Sequence, residues 1–168
     1  VNLMRSAHNT YRDDPKFSEV SVYVRNNLAE KGSINVGDDV IDLEISSINE
    51  SSVSLSSIID NKDTIIISSS ATWQPFRAIV HMLSDYSQTI YKNLNIVFIY
   101  ISEAHATDVW PIGLSAGVLN KKHRTINDRI QCAKNMIDEH KFKVPVYVDN
   151  MKNSYRDTYS AWPFRIYG

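Results

Sequence analysis

Asn95-Ile96-Val97-Phe98-Ile99-Tyr100-Ile101 decides the fold, because residues 96 to 101 are six consecutive apolar residues in a run too short for a helix of its own. Such a run suits a central strand covered on both faces. Upstream, Thr64-Ile65-Ile66-Ile67 is a second β-branched run, ending in Ser68-Ser69-Ser70. Between the two, Phe76, Ile79, Val80, Leu83 and Ile90 fall on one helical face, with Pro75 tolerated in the first turn. Downstream, a loop from Ser102 to about Arg124 contains Gly113 and Gly117 and leads into a helix with Ile126, Ile130, Ala133 and Ile137 on one face. Val144, Val146 and Val148 then alternate as a strand. The order strand, helix, strand, helix, strand predicts a parallel α/β sheet with right-handed crossovers.

Ahead of this block, Asp14-Pro15 supplies an N-cap followed by proline at the first helical position. Phe17, Val20, Val24 and Leu28 then recur at helical spacing until Gly32, so a helix is expected there. Residues 36–59 alternate short apolar pieces with Gly37, Asp38, Asp39 and serines, which suits a small hairpin or an extended lead-in. No linker or internal repeat divides the chain.

The 168 residues are enough for one domain with a single core. Lysine and arginine number 18 against 19 acidic residues, so no sequence-wide field exists to hold a phosphate backbone, and nucleic acid is not an expected partner. Cys132 is the only cysteine, which excludes an internal disulfide, a CxxC redox pair and a multi-cysteine zinc site within this sequence; no metal is expected. Cys132 lies between apolar helix positions and reads as buried and inert. No apolar run approaches the ~20 residues that span a bilayer, so the chain reads as a soluble, cytoplasmic domain. It begins at Val1 rather than methionine, which leaves an upstream anchor open.

In open parallel sheets, ligands bind beyond the carboxyl ends of the strands, where loops gather and helix N-termini supply donors. Two loops qualify, 68–76 and 102–110, with 159–165 as a third candidate. The first stands where a helix dipole would lower the pKa of a thiol or selenol, yet it carries none; it reads equally as a Ser/Thr-rich turn capping the helix. In the second, Glu103 and His105 are two apart on an extended segment and so share a side. They could form a carboxylate-oriented imidazole, or stand as a solvated acid beside an unconnected histidine. His123 opens the second crossover helix, where a solvated helix start is the plain alternative.

Taken together, these segments resemble the iodothyronine deiodinase family. Ser70-Ala71-Thr72-Trp73-Gln74-Pro75-Phe76 is similar to its Ser-Cys-Thr-selenocysteine-Pro-Pro-Phe loop. Ile99-Tyr100-Ile101-Ser102-Glu103-Ala104-His105-Ala106-Thr107-Asp108-Val109-Trp110 is similar to its Ile-Tyr-Ile-Glu-Glu-Ala-His-Pro-Ser-Asp-Gly-Trp signature. Lys122-His123-Arg124, Asp128-Arg129, Val148-Asp149-Asn150-Met151 and Tyr159 to Tyr167 continue the match in order. The resemblance covers about residues 36–168. It implies an N-terminal helical extension, 1–35, and a thioredoxin-like α/β domain, 36–168, with a central mostly parallel sheet flanked by helices. It also implies that the domain lacks the family's C-terminal strand and helix. A cis peptide before Pro163 is expected of such a fold.

By resemblance, position 73 is the seat of a selenol or thiol that removes iodide reductively from an iodothyronine-type aromatic substrate. An external thiol reductant then regenerates it, and no other cofactor is needed. Thr72 and Ser70 would line that seat, Glu103 and His105 would handle protons and the phenolic oxygen, and Tyr100 would support them. His123, Arg165, Phe76 and Trp162 are the implied substrate-binding residues, and a homodimer is the family's habit. Two departures stand out. Ala71 replaces a cysteine, and Trp73 replaces the chalcogen with an indole that offers no nucleophile. A tryptophan arises here either from a code that reads the selenocysteine codon as tryptophan or from a true substitution in a domain that has lost catalysis. The functions in contention are therefore a deiodinase-like oxidoreductase, an inactive thioredoxin-fold binding module and a peroxiredoxin-like peroxidase.

Overall fold

The computed structural model describes residues 6, 9–15, 22–59, 63–89, 93–113 and 117–168. Their elements, in chain order, are α1 (Val22–Asn26), β1 (Glu44–Ser47), β2 (Ser52–Ser54), α2 (Leu55–Ile59), β3 (Thr64–Ser69), α3 (Gln74–Gln88), β4 (Asn95–Tyr100), α4 (Ile126–His140), β5 (Val146–Val148), α5 (Ser154–Thr158) and β6 (Arg165–Tyr167). Phe17, Val20 and Ile90, on which two of the helical expectations lean, lie outside the described residues. The first helix ends well before Gly32. The Asn27 side chain takes the Ala29 N–H at 3.0 Å, a local bond that competes with continued helix. Among the described residues, no helix is long and apolar enough to cross a membrane.

The strands form one sheet in the order β2-β1-β5-β4-β3-β6. Only β3–β4 and β4–β5 are parallel; β1–β2, β1–β5 and β3–β6 are antiparallel. The expected mostly parallel sheet is therefore corrected: the sheet is mostly antiparallel around a parallel centre. Connection length explains the correction. The parallel strands are joined through α3 and α4, each 15 residues and long enough to return the chain to the start of the next strand. By contrast α5 has five residues, about 7.5 Å of rise, so the chain cannot travel back along the sheet. It turns at the carboxyl end of β3, through a cis Trp162-Pro163 bond, and runs down antiparallel with Arg165 opposite Ser68.

The pattern of β4 explains its unbroken apolar run. Phe98 and Tyr100 face Phe76 and Val80 of α3 and Ile130, Ala133 and Met136 of α4. Val97, Ile99 and Ile101 face Ile45, Leu55, Tyr155 and Tyr159 on the other side. Both faces are buried, as period-two alternation requires. The carboxyl ends of β3, β4 and β5 consequently open onto one edge, where the candidate loops converge.

Candidate functional site

The loop after β3 and the loop after β4 are stitched together by short polar side chains. Ser70 Oγ accepts from the Ala104 N–H at 3.1 Å, and Thr72 Oγ1 accepts from the His105 N–H at 3.1 Å. The Thr72 hydroxyl then donates to Glu103 Oε2 at 2.6 Å, and its own N–H reaches the same oxygen at 3.1 Å. Glu103 Oε1 accepts from Asn120 Nδ2 at 2.9 Å, from His123 Nε2 at 3.2 Å, and from the Tyr100 hydroxyl. Five donors thus converge on a carboxylate whose side chain is 1% exposed. Burial alone would raise its pKa, but the bonds from His123, Thr72 and Tyr100 outweigh it and hold Glu103 below the usual carboxylate value. Tyr100 moves the opposite way: burial and then the neighbouring Glu103 charge push its phenol well up, so it stays a donor.

The two histidines are held differently. His123 is gripped on both nitrogens, because Arg129 Nε donates to its Nδ1 at 3.1 Å while Nε2 donates to Glu103. An arginine has no lone pair to give, so this bond places the ring proton on Nε2. Arg129 is itself anchored by the carbonyls of Asp149 and Asn150, at 3.0 and 2.8 Å, and by Asn153 Oδ1 at 2.8 Å. His105 has one ring contact to backbone, Nδ1 to the Trp110 carbonyl at 3.3 Å, and stacks on the Trp73 indole at 5.9 Å between ring centres. Burial lowers its pKa. Trp73 is the N-cap residue of α3 and makes no side-chain cap hydrogen bond.

The family model of the iodothyronine deiodinases matches residues 28–168, which is most of the chain. This chain belongs to the iodothyronine deiodinase family. A type I iodothyronine deiodinase of Xenopus laevis is 34% identical over 101 residues, 58% of this chain and 38% of that protein. A thyroxine 5-deiodinase of Sparus aurata is 38% identical over 76 residues, 44% of this chain and 27% of its own length. The chain therefore aligns with well under half of these curated deiodinases. Solved structures share the thioredoxin-like fold at low identity. A hypothetical protein from Sinorhizobium meliloti has 15% identity and a TM-score of 0.57, covering 81% of this chain and 66% of that one. A secreted Mycobacterium tuberculosis disulfide oxidoreductase has 11% identity and a TM-score of 0.50, covering 74% and 72%.

Within this deiodinase-family domain, Ser70, Thr72, Tyr100, Glu103 and His123 form one bonded cluster. His105 joins it only through its backbone N–H, so the imidazole that the Glu103 carboxylate meets is His123, not His105. Arg165 lies elsewhere: its guanidinium donates to the carbonyls of Lys31 and Glu30 at 2.8 and 2.7 Å. The chain comes close enough there because Gly32, at φ +77°, packs where a Cβ would be 2.7 Å from Ser160 Oγ. Phe76 is fully buried and stacks on Phe98 at 4.8 Å, as a member of the core. Trp162 walls a cavity of about 420 Å³ that also reaches Glu103, His123, Arg129 and Arg156.

Sequence reasoning missed Asn120 and Arg129. Arg129 lies on α4, six residues after His123, so helix entry carries it back beneath the imidazole; an arginine at helical spacing with Ile126, Ile130 and Ala133, on the apolar face, was the available signal. Cys132 is less isolated than its apolar neighbours suggest, since its Sγ, a Glu103 oxygen and a His123 nitrogen all lie within 4.8 Å of one another. These three could in principle ligate a metal. Their present chemistry does not fit one: both His123 nitrogens are committed, and burial with the Glu103 charge pushes the Cys132 thiol up to about 12.

Proposed function

We propose that this chain, with tryptophan at 73, is a binding module of the deiodinase family that takes up an iodothyronine-type aromatic ligand and does not turn it over. One observation carries the reading. The position from which the family's nucleophile would act holds an indole stacked on His105, beside a proton-handling cluster that is fully bonded. An indole can neither attack iodine nor form the chalcogen–iodine bond that reductive removal needs. It can offer an aromatic face. Calorimetric titration with thyroxine tests the reading: micromolar binding without iodide release supports it, and no detectable binding refutes it.

A second reading is favoured by the completeness of the Glu103 cluster. If the native residue at 73 is selenocysteine, its selenolate would take the iodine as a selenenyl iodide and the aryl carbon would receive a proton. Two equivalents of thiol would then release iodide and restore the selenol, leaving a disulfide. His105, next to position 73 with its Nε2 side unengaged by the described residues, is the candidate for the phenolic oxygen. The mass of the peptide containing residue 73, from natively expressed protein, separates the two readings. A peroxiredoxin-like activity finds little support, because the one thiol is held protonated.

A further inference from the structure

Away from the Glu103 cluster, the fold brings a second pair of ionisable rings together. His81 stands midway along α3 and His140 ends α4, and their rings meet edge to face at 5.3 Å between centres and 73° between planes. His105 and His123 belong to the site already described, and His8 lies outside the described residues, so this pair is separate. The meeting is built into the packing. Both helices cover the same sheet face, α3 through Phe76 and Val80 and α4 through Ile130, Ala133 and Met136. The buried Ser84 hydroxyl accepts from the Lys143 N–H at 2.9 Å, which ties α3 to the chain just past α4. His81 and His140 each precede one end of that tie by three residues. The pair is eight residues along α3 from Trp73, about 12 Å of helical rise away from the strand ends that hold the first site.

The surroundings suit a cation. His140 Nε2 is buried without a hydrogen-bond partner among the described residues, a cost that coordination would remove. Burial lowers the His140 pKa over the opposing pull of Glu139, and His81 and Arg77 add to the lowering; the ring is therefore neutral at pH 7, the form that binds metal. His140 also lies at the carboxyl end of α4, where unpaired carbonyls carry partial negative charge. Arg77, whose charge opposes a cation here, is tied by Nη1 to the Ala71 carbonyl at 3.1 Å, back towards the start of α3. The spacing fits as well. Two imidazoles on one tetrahedral Zn²⁺, each nitrogen about 2.05 Å from the ion, hold their ring centres about 5 Å apart, close to the 5.3 Å found here. The single cysteine excludes a multi-cysteine zinc site but does not bear on paired imidazoles.

We propose that His81 and His140 bind a divalent transition-metal ion, Zn²⁺ by geometry, with water completing its shell, and that the ion clamps the end of α4 to α3.

The test titrates zinc chloride calorimetrically, at neutral pH, into the untagged chain freed of metal by a chelator, and into His81→Gln, His140→Gln and Cys132→Ser. The unaltered chain is expected to bind zinc, each histidine variant to bind it at least about tenfold more weakly, and Cys132→Ser to bind it unchanged. His81 is exposed, so its variant keeps the test valid should His140→Gln fail to fold. Zinc should also raise the thermal unfolding midpoint of the unaltered chain, with a smaller rise in His81→Gln at the same zinc concentration. Cobalt(II) in place of zinc should show ligand-field absorption without a thiolate charge-transfer band. Absence of zinc binding overturns the site, as does binding that both histidine variants retain in full. Loss of binding in Cys132→Ser, with a thiolate band from cobalt, would put the ion among Glu103, His123 and Cys132 and overturns it equally.

Discussion

His123 and His105 both flank the same carboxylate loop, yet one is clamped and the other is merely stacked. His123 spends one nitrogen on Glu103 and the other on Arg129, and its ring is buried. His105 spends one nitrogen on a backbone carbonyl and lies between two indoles, Trp73 and Trp110. The difference separates two jobs that a sequence reading tends to merge. The clamped ring belongs to a fixed polar core that sets the shape of the strand ends. The stacked ring is the one to which the proposed reading gives the ligand contact.

The sharpest way to break the clamped side is Glu103→Ala, which strands five buried donors and should cost about 3 kcal/mol or more in a denaturant titration. Arg129→Met removes the donor to His123 and the ties to 149, 150 and 153, at an expected cost of about 2 kcal/mol. It should also shift the His123 ring nitrogens in ¹⁵N spectra towards a tautomeric mixture, a change that loss of packing alone does not produce. His105→Ala should cost only about 1 kcal/mol, the stacking of one ring, while abolishing thyroxine binding. If thyroxine binding survives, the stacked ring has no ligand role.

A smaller, directional effect is expected from pH. Glu103 has a folded pKa below its ordinary value, so its contribution is complete above that value and is lost as pH falls through the depressed one. His105 is depressed too, by burial, so the unfolded chain takes up its proton first and stability begins to fall below the ordinary histidine range. Chemical denaturation between pH 7 and about 3 should show stability falling in both windows, with the upper one reduced in His105→Ala and the remainder carried by His140, which burial also depresses.

Much of this arrangement was legible in the residues themselves. The unbroken apolar run of β4, the two long amphipathic helices and the alternating valines of β5 carry their own periodicity, so the parallel centre and its loop-bearing edge follow from local pattern. Strand direction at the sheet edges did not follow, because it depends on a five-residue helix being too short to return the chain. The imidazole partner of Glu103 was not legible for a similar reason: a spacing of two makes His105 a visible candidate, whereas His123 is 20 residues away and arrives only when α4 docks. Arg165 carries no local sign that Glu30 and Lys31 will occupy it.

The most direct measurement is iodide release from thyroxine, with dithiothreitol as the thiol, by three forms of the chain: the Trp73 form, Trp73→Cys, and Trp73→Cys combined with Glu103→Gln. The account expects no release from the tryptophan form, release from the cysteine form, and its loss when Glu103 is neutralised. Turnover by the tryptophan form would contradict it.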